Sequence, residues 1–162
     1  MKNAFIYTDA YLDYDYGPAH PLRIIRLKLT YDLIKTYRFL DLPSVQFIPT
    51  IKAEEKDLAS FHSKEYLNIL KQGDEGYLMG DVYFYGLGPG DNPIFPGLFN
   101  WSLLVTGATL QAVDFVVDEQ GGIAFNIAGG LHHAMRARAS GFCYINDPVI
   151  GVMRLLNRGE KS

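Results

Sequence analysis

The chain has a single cysteine, Cys143, among its 162 residues, so it forms no internal disulfide. A reducing compartment is the simplest setting for such a chain. It also lacks a surplus of charge. Its 15 Lys and Arg stand against 18 Asp and Glu, for a formal net charge of -3. That balance offers nothing to draw nucleic acid or an anionic membrane as the main partner. A membrane span needs about 18 or more consecutive apolar residues. The nearest approach, Leu98 to Val117, is interrupted by Asn100, Ser102, Gln111 and Asp114 and reads as a buried helix. The N-terminal MKNAFIYTDAYLDYDYG is too acidic, and its apolar run too short, for a signal peptide. These absences together predict a cytoplasmic protein. No internal repeat, low-complexity tract, C-x-x-C or H-x-x-x-H pattern occurs.

What is present suits one globular domain over residues 1–162, with 48% hydrophobic and 20% charged residues. NAFIYT (Asn3 to Thr8) reads as a short buried strand. YLDYDYGPAHP is a loop punctuated by Gly17, Pro18 and Pro21, and Pro21 suits the first turn of a helix reaching Tyr37. VQFIP (Val45 to Pro49) reads as a second strand. Helices follow over Ala53 to Phe61, with Glu54 and Glu55 in an acid-favouring first turn, and over KEYLNIL, which Ser63 can cap and Gly73 ends. From Gly73 to Pro96 glycine, proline and aromatics crowd together, as in a functional surface loop. A flexible linker is the alternative, against which Tyr77, Tyr83, Phe84 and Tyr85 argue. GIAFNIAGG (Gly122 to Gly130) reads as a third, buried strand running into a glycine turn, and a last helix spans Asp147 to Leu156. Strands alternating with helices predict an α/β domain with a parallel sheet.

The chemistry concentrates in GGLHHAMRARASGFCYINDP, Gly129 to Pro148. His132 and His133 follow a strand and a Gly-Gly turn, where ligands of open α/β sheets bind. A histidine can give or take a proton near neutral pH; the plain alternative is two ordinary polar loop residues. Adjacent side chains diverge, and a zinc ion needs three or four ligands, so the spacing of these residues makes no metal site within the chain. His20 and His62 lie in unrelated segments. Cys143 in GFCYIN reads as a small buried hydrophobe rather than a nucleophile paired with a histidine. Arg26 shares a helical face with Leu22, Leu29 and Leu33. It is either a snorkelling side chain or a buried cation with a partner.

HPLRIIRLKLTYDLI, FHSKEYLNIL, the GDNP loop and FNIAGGLHHAMRARASGFCYINDP, in that order along the chain, resemble the histone deacetylase family. This is the zinc-dependent amidohydrolase group that includes bacterial acetoin-utilisation and acetylpolyamine-deacetylase proteins. The resemblance implies a three-layer, parallel-sheet arginase/deacetylase-like α/β fold, of which this chain would be the N-terminal portion. It implies hydrolysis of the acetyl-amide of acetyl-lysine or a related acetylated amine. His133 would be the general base and acid and His132 its electrostatic partner. Gly141 and Phe142 would line the acyl-lysine tunnel. Cys143 and Arg26 would border an internal cavity, and Asp91 would bind the substrate backbone from the rim. Asn92 stands where many eukaryotic members have cysteine. The family's zinc ligands (an Asp-x-His motif and a further Asp), its catalytic tyrosine and the carboxylates that orient its histidines all lie downstream of Ser162. The expected cofactor is therefore zinc with no ligand in this chain. The chain alone is expected to be inactive, self-associating or paired with a C-terminal half. Two alternatives stand beside this one: a small-molecule, acetylpolyamine-type amidohydrolase, and a truncated, non-catalytic acyl-binding or interaction protein.

Overall fold

In the computed structural model, which describes residues 2–75 and 82–159, three parallel strands form the centre of the molecule. They are β1 (Asn3–Tyr7), β2 (Val45–Pro49) and β3 (Ile123–Asn126), in the order β2-β1-β3. The register pairs Phe5 with Phe47 and with Phe125, and Ile6 with Ile48 and Asn126. The middle strand β1 is buried along almost its whole length because it is flanked on both edges and covered on both faces. This is the α/β parallel sheet expected from the alternation of strands and helices.

Each face of the sheet meets a helix. The long α4 (Leu98–Asp118) carries apolar side chains almost all the way round and packs against β1 and β3 as well as against α3 (Lys64–Asp74) and α5 (Asp147–Gly159). Leu98, Trp101, Leu104, Val105 and Ala108 are buried there with Leu67 and Leu70 of α3 and Ile150 of α5. On the opposite face, α1 (Ile25–Thr36) reaches the sheet through Tyr31, whose ring stacks on Tyr7 at 4.1 Å and on Phe5 at 6.2 Å. No helix among the described residues is long and apolar enough to cross a membrane.

Three local expectations are corrected. The first helix begins at Ile25 rather than Pro21, because the His20 ring accepts the backbone N–H of Leu22 at 3.1 Å and Arg23 reaches back to the Pro18 carbonyl at 2.9 Å. The segment Ala53 to Phe61 holds only one α-helical turn, α2 (Glu55–Leu58), closed by Asp57 accepting the Glu54 N–H at 2.8 Å. The third strand ends at Asn126, so Ile127 to Gly130 belong to the loop, and it is not buried, because at the edge of the sheet it leaves Ile123 and Phe125 exposed. The cap at Ser63 forms as expected, its hydroxyl accepting from the N–H of Tyr66 at 3.3 Å. Within the glycine- and aromatic-rich segment, Val82–Tyr85 forms a 3-10 turn, whereas Tyr77 lies outside the described residues.

Candidate functional site

All three strands point their carboxyl ends the same way, and the loop that leaves β3 at that end carries the two histidines. Two side chains, one half-buried and one buried, shape its entry. Asn126 donates to the Thr109 hydroxyl at 2.9 Å and the Val105 carbonyl at 3.3 Å on α4, and accepts the N–H of Ala128 at 3.0 Å. The Asp147 carboxylate, only 1% exposed, accepts the N–H groups of Gly130 at 3.0 Å and Leu131 at 2.8 Å and the hydroxyl of Thr109. Burial pushes its carboxyl above the usual carboxylate range, against the pull of those hydrogen bonds. Residue 129 must be glycine for a steric reason. A Cβ there would lie 2.6 Å from the Asn126 amide nitrogen and 2.7 Å from an Asp147 oxygen.

Beyond this entry the rings of His132 and His133 lie side by side and exposed, with centroids 4.2 Å apart. The Nδ1 of His132 is 2.9 Å from the Gly130 carbonyl. A carbonyl can only accept, so Nδ1 carries the proton and a neutral His132 presents its Nε2 lone pair outward. The backbone under the pair is held from below. The amide of Asn146 donates to the His132 carbonyl at 3.1 Å and to the Ala134 carbonyl at 2.9 Å, while its oxygen accepts the Val149 N–H at the start of α5. His62, 2% exposed, accepts the Asn146 N–H on Nε2 at 3.0 Å and donates from Nδ1 to the Arg136 carbonyl at 3.2 Å. Burial lowers the pKa of His62 to about 4, so it is neutral near pH 7.

A tight turn forms the wall beside the histidines. Ser140 and Cys143 exchange backbone hydrogen bonds of 3.0 and 2.8 Å, and the two residues between them have positive φ, +50° at Gly141 and +70° at Phe142. Glycine is needed at 141 because a Cβ would sit 2.8 Å from Cγ of the His133 ring. Phe142 has no such excuse. A bulky side chain in the left-handed region costs about 1–3 kcal/mol, held only where its surroundings impose it. Here Tyr16 imposes it: its hydroxyl accepts from the Trp101 indole at 3.2 Å and donates to the Phe142 carbonyl at 2.9 Å. The His20 ring meets Phe142 edge-on at 4.7 Å, and its Nε2 donates to the Asp91 carbonyl at 3.1 Å. Tyr16, His20, Pro21, Asp91 and Pro93 then border a cleft of about 400 Å³. Cys143 is 4% exposed, and burial raises its thiol pKa, which leaves it a poor nucleophile.

The structure therefore gathers His132, His133, Gly141, Phe142 and Cys143 in one loop and links Asp91 to it through His20. Arg26 is a correction. It stands exposed on α1, its Nε donating to the Arg23 carbonyl at 3.3 Å, and shares no buried cavity with Cys143 among the described residues. The helix face that carries it has no cover there: Leu29 and Leu33 are 62% and 56% exposed. His20 and His62, from distant segments of the chain, both bond into the site. Asn146 and Asp147 carried a signal in sequence only as part of the quoted motif. Among the described residues no group of three or more His, Cys, Asp or Glu side chains is placed to hold a metal ion.

Comparison with known proteins gives the same frame a name. The histone deacetylase domain matches residues 20–162. The chain is 37% identical over 151 residues to the acetoin utilization protein AcuC of Bacillus subtilis (strain 168), covering 93% of this chain and 38% of that protein. It is 34% identical over 164 residues to the type-1 histone deacetylase 1 of Dictyostelium discoideum, covering 99% of this chain and 32% of that one. The crystal structure of an HDAC homolog from Aquifex aeolicus superimposes with a TM-score of 0.87 at 34% identity, over 98% of this chain and 42% of that chain. An HDAC homolog complexed with SAHA superimposes equally well. The chain thus spans about a third to two fifths of the length of these relatives. With the domain matched across residues 20–162 and the fold shared with solved homologs, the chain belongs to the histone deacetylase family.

Proposed function

We propose that the chain is the N-terminal part of a zinc-dependent deacetylase domain that hydrolyses the acetyl-amide of acetyl-lysine or a related acetylated amine. One observation carries this reading: two exposed histidines, with ring centroids 4.2 Å apart, are held by a buried polar frame beside a wall made by Gly141 and Phe142. In that arrangement His133 takes a proton from the attacking water and returns it to the leaving amine. His132, its Nδ1–H spent on the Gly130 carbonyl, keeps its partner's charge in check. Phe142 and the ring of His20 guide the alkyl chain of the substrate, and the Asp91 carboxylate accepts from its backbone N–H groups at the rim. Zinc would supply Lewis-acid activation of the amide carbonyl in the complete domain. The residues described here do not by themselves hold that ion.

The test compares two proteins. Residues 1–162, purified alone, should contain no stoichiometric zinc by elemental analysis and release no acetate from an acetyl-lysine peptide. In the complete domain, His133→Ala should lower turnover on the order of 10²–10⁴-fold with zinc content unchanged. Turnover by residues 1–162 alone that a hydroxamate inhibits, or zinc lost in step with the His133 side chain, would refute these assignments.

A further inference from the structure

We propose that His62 is a positioning residue for the deacetylation reaction, setting the geometry of His132 and His133 from beneath through Asn146. The inference rests on the deacetylase reading above. His62 lies just before α3, in a segment to which neither sequence nor chemistry assigns a role. Its ring is buried, and each of its nitrogens bonds to the backbone around the site. Nε2 accepts from Asn146 and Nδ1 donates to Arg136.

These two bonds close a loop. The N–H of Asn146 is fixed by His62, and its side-chain amide then reaches the carbonyls of His132 and Ala134, one on each side of His133. The carbonyl of Arg136, which ends this stretch, is held by His62 and also by the N–H of Ser63 at 3.0 Å. The Asn146 amide thus holds the carbonyls of His132 and Ala134, and the His62 ring with the Ser63 N–H holds that of Arg136, while the rings of His132 and His133 stand exposed above them. An Nε2 that accepts and an Nδ1 that donates demand the neutral tautomer protonated at Nδ1. Phe61 and Tyr66 pack edge-on and tilted against the ring, at 4.8 and 5.6 Å, so it cannot turn away. A catalytic group displaced by about 1 Å can lose on the order of 10²-fold in rate. A residue that holds such a group without touching substrate should therefore act on kcat and leave KM alone.

The experiment uses the full-length, zinc-loaded enzyme. kcat and KM for an acetyl-lysine peptide are measured across pH for wild type, His62→Phe, His62→Gln and Asn146→Ser. NMR titration of the His132 and His133 imidazole protons runs in parallel and needs no turnover. His62→Phe keeps a flat ring and loses both bonds. It is expected to lower kcat by about 10–10²-fold, to leave KM within about twofold, and to shift the limbs of the pH profile. The His133 resonance should move or broaden with it. His62→Gln retains an acceptor for the Asn146 N–H and should recover much of the rate. Asn146→Ser keeps an oxygen to cap α5 but loses both amide donors, so it should reproduce the kinetic loss even where His62→Phe folds poorly. Variants that only lower the melting temperature, with kcat, pH profile and His133 resonance as in wild type, overturn the proposal. A wild-type enzyme inactive on acetyl-lysine peptides would overturn the functional reading instead, and the imidazole titrations would still decide the positioning role.

Discussion

The loop that carries the two histidines and the helix α1 are finished to different degrees. Between Gly129 and Asp147, buried polar side chains meet backbone partners at almost every turn: Asp147 takes two N–H groups, Asn146 serves two carbonyls, and His62 closes the circuit. On α1 the reverse holds. Ile25, Leu29 and Leu33 are exposed and no residue of the helix is fully buried; Leu27, Tyr31 and Ile34, each half-buried, pack it against the core. On the same face of the sheet, beside the Phe5 ring that Tyr31 stacks on, Ile123 and Phe125 of β3 are 59% and 52% exposed. The difference teaches that the frame of the site does not draw on the α1 face. It is built by Thr109 of α4, Asp147 at the start of α5, and Asn126, Asn146, His62, Tyr16 and His20 from the segments between and before these helices.

Breaking the finished side should have the largest effect. Asp147→Ala leaves the N–H groups of Gly130 and Leu131 and the hydroxyl of Thr109 without their acceptor in a buried place. Each such orphan costs about 1–3 kcal/mol, so a loss of about 3–5 kcal/mol is expected in urea unfolding of the chain. A loss below about 1 kcal/mol would show that the loop is held by something else.

His62 gives the next effect and fixes its direction. Its folded pKa is lowered to about 4 from 6.5, so below pH 6.5 the unfolded chain binds the extra proton and the folded chain resists it. The stability this residue contributes is whole above pH 6.5 and drains away as the pH falls towards 4. The fall amounts to about 3 kcal/mol, at about 1.4 kcal/mol per unit. His62→Gln should flatten that part of the stability–pH curve, and a curve that keeps its slope would show that another group titrates there.

At the rim the effect shrinks. In the complete enzyme Asp91→Ala should weaken peptide substrates by about tenfold and a small acetamide probe hardly at all, because a rim carboxylate meets substrate N–H groups and not the acyl group. Equal losses for both would remove Asp91 from substrate binding. On the unfinished side the effect should nearly vanish. Leu29→Ser in residues 1–162 should change stability by no more than about 0.5 kcal/mol, as for an ordinary surface position. A much greater loss would mean that the exposed face is covered in solution, and sedimentation of the same sample would show by what.

Much of this was legible in the residues taken in order. The strand Asn3–Tyr7 and the helix from Leu98 follow from a short apolar run and a long apolar stretch, because burial on both faces of a sheet or nearly all round a helix leaves a continuous signature; Val45–Pro49 is read from its apolar run too, although as an edge strand it stays largely exposed. The paired histidines, Gly141, Phe142 and Cys143 stand in one run of chain, so local order was enough to set them side by side. Gly129 and Gly141 were legible as glycines, but their cause is a close approach by Asp147 in one case and His133 in the other. The start of α1 is not legible in sequence, because Pro21 suits a helix's first turn by itself, whereas in the fold the His20 ring takes the N–H of Leu22.

What the sequence determined by itself is the set of elements and the chemistry-bearing loop, since both depend on neighbours a few positions apart. What only the tertiary structure decided is which distant side chains reach that loop, and whether a helical stripe is covered. His20 bonds Asp91 across 71 positions, and His62 bonds Asn146 across 84. No periodicity or local motif registers contacts at that range, for they arise only when the folded chain, with α4 on the sheet and α3 and α5 packed on α4, brings those backbones within a hydrogen bond's length. For the same reason Arg26, set in an apolar stripe by its spacing, could be read as buried or exposed from sequence. A stripe records that a helix has a face to cover, and only packing settles what, if anything, lies against it.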